Sequence, residues 1–163
     1  MKKIQVGGHR VGSDKHYALV DDLLFDKLNK FVWSFDGNKK GHGYARTTKA
    51  IKGKRVHSYM SRMVMGYNGK KEIDHINENK LDNRRENLRI ATKAENARNV
   101  GLRSHSTTGF KGVSFHKVRG LFQTRITVSR KVVSLGYFKT AEEASKAYNK
   151  AALKYHGEFA NIN

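Results

Sequence analysis

One stretch of this chain differs from everything around it. Leu102–Gly109 is rich in Ser, Thr and Gly and has no apolar periodicity, while the segments on either side do. Such a stretch reads as a boundary. It splits the 163 residues into two small domains with modest cores, 1–100 and 110–163, joined by a linker at 101–109. The absence of cysteine removes disulfides, thiol catalysis and Cys-ligated zinc together, and fits a reducing cytoplasm. The absence of proline excludes a proline-rich spacer, so the 15 glycines do most of the turn-making. Met1–Val11 carries charge but no apolar run, and so reads as no secretory signal. No run approaches the roughly 20 apolar residues of a membrane span.

The formal charge is +19, from 33 Lys+Arg against 14 Asp+Glu. A surface this positive attracts polyanions: nucleic acid first, an anionic membrane second. No segment combines a basic face with a bulky apolar one over several turns, as a surface-bound helix would. The 37% of hydrophobic residues is enough for folded domains rather than a basic disordered tail. Residues 37–71 contain no acid but ten Lys/Arg, and residues 101–163 carry a net +8. The positive field therefore sits in at least two places; the bland alternative is a solvated basic face. Lys52, Lys54, Arg55, Arg84 and Arg85 are the N-terminal candidates for DNA contact.

Tyr17–Val20 reads as a strand, and Asp21-Asp22 open a short helix through Leu28. Phe31, Trp33 and Phe35 alternate as in a strand, with Tyr44–Thr48 as the next. Val56, Tyr59, Met60, Met63 and Val64 have helical spacing, which predicts a helix over Arg55–Met65 ending at Gly66. Lys71–His75 and Leu88–Ala91 are short strand-like runs, the latter apolar on alternate positions except Arg89. Thr92-Lys93-Ala94-Glu95 is a capping box that opens a helix to about Asn99. Beyond the linker, Gly112–His116, Leu121–Val128 and Lys131–Phe138 read as strands, with tight turns at Val118–Gly120 and Ser129–Arg130. A second capping box, Thr140 to Glu143, opens a helix whose apolar face is small: Ala144, Ala147, Tyr148, Ala151, Ala152 and Tyr155. The fold class is α+β.

The chemistry concentrates between Ile73 and Asn96, where an adjacent Asp74–His75 pair precedes several asparagines. A neutral His takes a proton from water near pH 7. A hard divalent cation wants a carboxylate and an amide carbonyl, and stabilises both phosphoryl and leaving oxygens. Asn96 falls near the start of the helix opened by Thr92, whose dipole favours an anion. The alternative is a polar loop whose asparagines make turns and caps.

The run Asp74-His75, then Leu81-Asp82-Asn83-Arg84, then Glu86-Asn87-Leu88-Arg89, then Asn96 on a helix resembles the HNH homing endonucleases, of the ββα-metal fold. Val56-His57 and Met63–Gly66 resemble that family's upstream segment, and the likeness covers about residues 15–100, with a motif core at 55–100. The resemblance implies His75 as general base and Asp74 and Asn96 as ligands of one divalent metal, Mg²⁺ or Mn²⁺. Asn87 would orient His75 or brace the loop, while Asp82 and Asn83 would hold the loop between the strands. An amide at Asn96 suits Mg²⁺ better than Zn²⁺, and no structural zinc is expected. His57 is left open between a phosphate contact, a group behind the ligands and a half-buried helix histidine. The remaining histidines (His9, His16, His42, His105, His116, His156) read as surface or DNA-facing.

Gly109–Asn163 resembles the AP2/ERF DNA-binding domain through Gly112-Val113, Leu135–Phe138, Thr140–Ala144, Ala147-Tyr148, Ala151-Ala152 and Asn161. The resemblance implies a three-stranded antiparallel sheet entering the major groove. The contact candidates are Lys111, Ser114, His116, Lys117, Arg119, Gln123, Arg125, Arg130 and Lys131. The only tryptophan is Trp33, so the DNA-facing tryptophans of that family are missing, and Phe115 and Phe122 are expected to stand in. The implied protein is a metal-dependent homing endonuclease of duplex DNA, a monomer that nicks one strand, phage- or intron-encoded and acting in the host cytoplasm. Its rivals are a DNA-binding regulator with an inactive nuclease domain and a basic RNA-binding protein. The latter lacks an RNA-stacking signature.

Overall fold

The structure, a computed structural model, describes residues 1–7, 15–38, 42–102 and 106–162. The chain is α+β and forms two compact units, Met1–Thr92 and Lys93–Asn163. No described helix is long and apolar enough to cross a membrane.

The first unit begins with an antiparallel pair, β1 (Lys2–Val6) and β2 (His16–Val20), in register from Lys2↔Val20 to Val6↔His16. Ile4, Val6, Ala18 and Val20 alternate inward and are buried, which is why so basic a segment as Lys2–Val6 forms a strand. The sequence gives this strand little apolar length, and it was not expected. Helix α1 (Asp22–Leu28) follows with Asp22 in its first turn. The strand expected over Phe31–Phe35 is shorter and later, β3 (Ser34–Gly37). Phe31 and Trp33 instead close the end of α1. The Phe31 amide and Trp33 Nε1 both donate to the Leu28 carbonyl, at 3.2 and 2.9 Å. The Gly7 and Phe35 backbones exchange bonds with Trp33 and Gly7, joining β1 to β3.

β3, β4 (Gly43–Ile51) and β5 (Lys54–Tyr59) form an antiparallel meander. Here the helix expected over Arg55–Met65 is corrected. Its first half is strand β5, and only α2 (Met60–Met65) is helical, ending at left-handed Gly66 as expected. The cause is the turn before it. Lys52 and Gly53 both have positive φ (49° and 74°), a two-residue hairpin turn matched to the strand twist. It folds Lys54–Tyr59 back onto Arg46–Ile51. β6 (Glu72–His75) and β7 (Leu88–Ala91) pair antiparallel, after a one-turn 3₁₀ helix at Arg85–Asn87. The core collects Ile4, Val6, Val20, Leu28, Trp33, Phe35, Met60, Val64 and Leu88 from nearly all these elements.

The second unit starts at α3 (Lys93–Asn99), so the compact units divide N-terminal to the 101–109 linker. Part of that linker, 103–105, lies outside the described residues. Helix α3 is held to its own unit at its C-terminal end. Lys111 Nζ donates to the Arg98 and Val100 carbonyls (2.7 and 2.5 Å), and Asn161 Nδ2 to that of Asn99 (2.8 Å). β8 (Val113–His116), β9 (Leu121–Val128) and β10 (Lys131–Phe138) form an antiparallel sheet with β9 central. Helix α4 (Ala141–His156) packs on it, opened by the expected capping box: Thr140 Oγ1 accepts from the Glu143 amide at 3.1 Å. Its alanines let it lie close to the sheet. A Cβ at Gly112 (φ 72°) would meet the Tyr148 ring and the Arg125 carbonyl.

Candidate active site

The β6–β7 ladder sets Asp74 opposite Arg89 and His75 opposite Leu88. Neighbours on a strand face opposite ways, so the Asp–His pair is split between two environments. Asp74 is 3% exposed, and its Oδ2 accepts from Arg89 Nε and Nη2, both at 2.8 Å. Arg89, the one break in the apolar alternation of Leu88–Ala91, was not assigned a role from sequence; the break was its signal. His75 is 4% exposed, with Nε2 3.4 Å from Asn83 Oδ1. The Tyr44 ring lies 6.0 Å from it, and Lys80 Nζ donates to the Tyr44 hydroxyl at 2.6 Å. Burial pushes the His75 imidazole below the ordinary histidine range. The Lys80 charge adds to that, while the Asn83 bond, Asp74 and Asp82 oppose it. The shift favours the uncharged ring, the state a general base needs.

The loop between the strands is a closed network of amides. The Asn77 amide donates to Asn87 Oδ1 (2.9 Å), Asn87 Nδ2 to the Asp82 carbonyl (2.8 Å), and Asn77 Nδ2 to Asp82 Oδ2 (2.8 Å). Asn87 thus braces the loop, one of the two roles considered for it. Asn83, expected only to hold the loop, is bonded to His75. Asp82 does hold it: Arg84 Nε and Nη2 donate to its two oxygens at 2.8 and 2.7 Å. That guanidinium keeps Asp82 below the usual carboxylate range. The loop is also pinned to β2. The Leu19 amide donates to the Leu81 carbonyl and the Asn83 amide to the Leu19 carbonyl, both at 2.8 Å.

Among the described residues no three His, Cys, Asp or Glu side chains gather as a metal site. The oxygen donors singled out are the Asp74 carboxylate, on β6, and the Asn96 amide, on α3 of the second unit. Taken singly, a carboxylate and an amide oxygen are each the kind of donor a hard cation takes.

Of the N-terminal contact candidates, Lys52 sits at the hairpin tip and Lys54 and Arg55 on exposed β5. Arg84 is held by Asp82 and Glu86, and Arg85 Nη1 lies 3.4 Å from the Val64 carbonyl. His57 is exposed on a strand, which overturns the half-buried helix reading; its Nδ1 meets Thr48 Oγ1 at 2.9 Å. His9 and His105 lie outside the described residues.

In the second unit, strand register puts Ser114, His116, Gln123, Arg125 and Tyr137 on the face away from buried Val113, Thr124 and Ile126. Gln123 Nε2 donates to the Tyr137 hydroxyl at 3.0 Å, and the Arg119 guanidinium lies 4.5 Å over the Tyr137 ring. Lys117 is exposed just after β8, and Arg130 and Lys131 are exposed at the turn into β10. Lys111 stands apart, capping α3. Phe115 and Phe122 share the register of Val113 and Thr124, so they do not replace outward tryptophans; the outward rings are His116 and Tyr137. Tyr137 was legible only as part of Leu-Gly-Tyr-Phe.

These features define a class. The chain belongs to the HNH endonuclease family and carries an AP2-like domain. The HNH endonuclease family model matches residues 54–98. Protein 3.8 of Escherichia phage T7 is 32% identical over 90 residues, covering 55% of this chain and 74% of its own. An uncharacterised HNH endonuclease of Acanthamoeba polyphaga mimivirus is 34% identical over 92 residues, 56% of this chain and 46% of its own. APETALA2-like protein 2 of Oryza sativa subsp. indica is 41% identical over 63 residues, 39% of this chain. The chain spans only 14% of that plant protein's length.

Proposed function

We propose that the protein hydrolyses a phosphodiester bond in duplex DNA, as a homing-type endonuclease that nicks one strand and acts as a monomer. In this reading β6, β7 and the helix that follows them in the chain are the ββα-metal motif, and the AP2-like sheet anchors the protein on the duplex through Gln123, Arg125 and their outward neighbours. The observation that carries the reading is His75, buried at the end of β6 with its ring tied to Asn83. His75 takes the proton from the attacking water. Asn83 fixes the imidazole's orientation, and Asn87 and Asp82 fix the loop that carries Asn83. Asp74 would hold one Mg²⁺ or Mn²⁺, with Asn96 as the second ligand that the family resemblance implies; when bound, the ion supplies charge for the phosphoryl and leaving oxygens. Arg89 sets the Asp74 carboxylate in place.

His75→Ala should abolish cleavage of end-labelled duplex with Mg²⁺ while leaving binding in EDTA intact. A variant that cuts normally removes His75 from the mechanism. A denaturing gel of the products reports strand and position, and equal cutting of both strands overturns the nickase reading.

A further inference from the structure

We propose that one face of the β4–β5 hairpin is a track for the phosphate backbone of the strand that is cut. It runs from Arg55 near the hairpin tip, through His57, to Lys80 beside His75. The inference rests on the nuclease reading above and adds the path of the scissile strand.

Cross-strand pairs share a face, and alternate residues along a strand do too. One parity holds Ala45, Thr47 and Lys49. The first two are buried, and Lys49 Nζ lies 4.5 Å over the Phe31 ring. This is the core side. The other parity holds Tyr44, Thr48 and Ala50, opposite Asp36, His57 and Arg55 respectively. At its base stands Tyr44, whose ring neighbours His75 and whose hydroxyl holds Lys80. The face is thus continuous with the candidate base. Its carboxylate, Asp36, is engaged by Arg46 at 3.2 Å and by the Tyr59 hydroxyl at 3.0 Å. Thr48 holds His57 by Nδ1, which makes Nε2 the nitrogen presented to a ligand. From Tyr44 to Ala50 the strand advances roughly 20 Å at about 3.3 Å per residue. That reach covers several phosphates of a duplex strand, which rises about 3.4 Å along the helix axis per nucleotide. No acid occurs between residues 37 and 71 to repel them.

The test uses the full chain. Arg55→Gln and Lys49→Gln remove the same charge from the same hairpin, on opposite faces. Binding to target duplex is measured in EDTA, with phosphate-ethylation interference mapped on each strand. Arg55→Gln should weaken binding roughly tenfold, the loss of one charge-assisted contact, while Lys49→Gln stays within about twofold. His57→Gln should erase interference at a phosphate of the cut strand nearer the cut than the one lost in Arg55→Gln. Equal weakening by Arg55→Gln and Lys49→Gln, or interference confined to the uncut strand, overturns the track. If the wild-type protein cuts while those two variants match, only the track falls. If it does not cut, the nuclease reading falls with it.

Discussion

At the scale of single residues, Asp74 and Arg89 meet almost out of water, with side-chain exposures of 4% and 12%. Removing the guanidinium takes from a buried carboxylate the two bonds that Arg89 donates to it. Arg89→Met should therefore cost about 3–5 kcal/mol in urea unfolding, and adding Asp74→Asn should recover part of it. Asp82 makes a pH-dependent contribution. Its folded pKa is depressed by Arg84, so the stabilisation is complete above the unfolded value of about 3.9 and fades as pH falls through the folded one. The stability gap between wild type and Asp82→Asn should be widest near pH 7 and shrink below about pH 4. The sequence named the asparagines but not their partners. Asn77, Asn79, Asn83 and Asn87 are chemically alike, and which one meets His75 depends on a loop path set by Leu19, some 60 residues earlier.

At the scale of elements, legibility followed local signals. Strands β9 and β10 match the expected spans residue for residue, because the turn between them, with positive φ at Ser129 and Arg130, is two residues long. Helix α4 was written in its capping box and its alanine stripe. Strand β5 was misread because Val56, Tyr59, Met60 and Met63 mimic helical spacing across a strand–helix junction. The Lys52-Gly53 turn was the overlooked counter-signal. Gly112 tests the close approach of α4 to its sheet. Gly112→Ala adds both a left-handed alanine and a clash with Tyr148, and should lower stability by about 2 kcal/mol or more in thermal unfolding.

At the scale of the whole molecule, the charge becomes a measurable slope. Log K for duplex binding should fall linearly with log salt by about 0.9 per phosphate neutralised. Arg125→Gln, on the outward face of β9, should reduce that slope by about one in a titration with KCl. Two compact units share the charge, so no single substitution should flatten the dependence. The bonds from Leu19 to Leu81 and Asn83 carry a further consequence. Residues 54–98 hold the family's motif, yet the strand that seats its loop lies outside them. That motif is therefore not a portable cassette. Grafted alone onto another scaffold it would bring His75 along, but leave the Leu81 carbonyl and the Asn83 amide without the backbone that now receives them. A transplant that works will have to carry β2 as well.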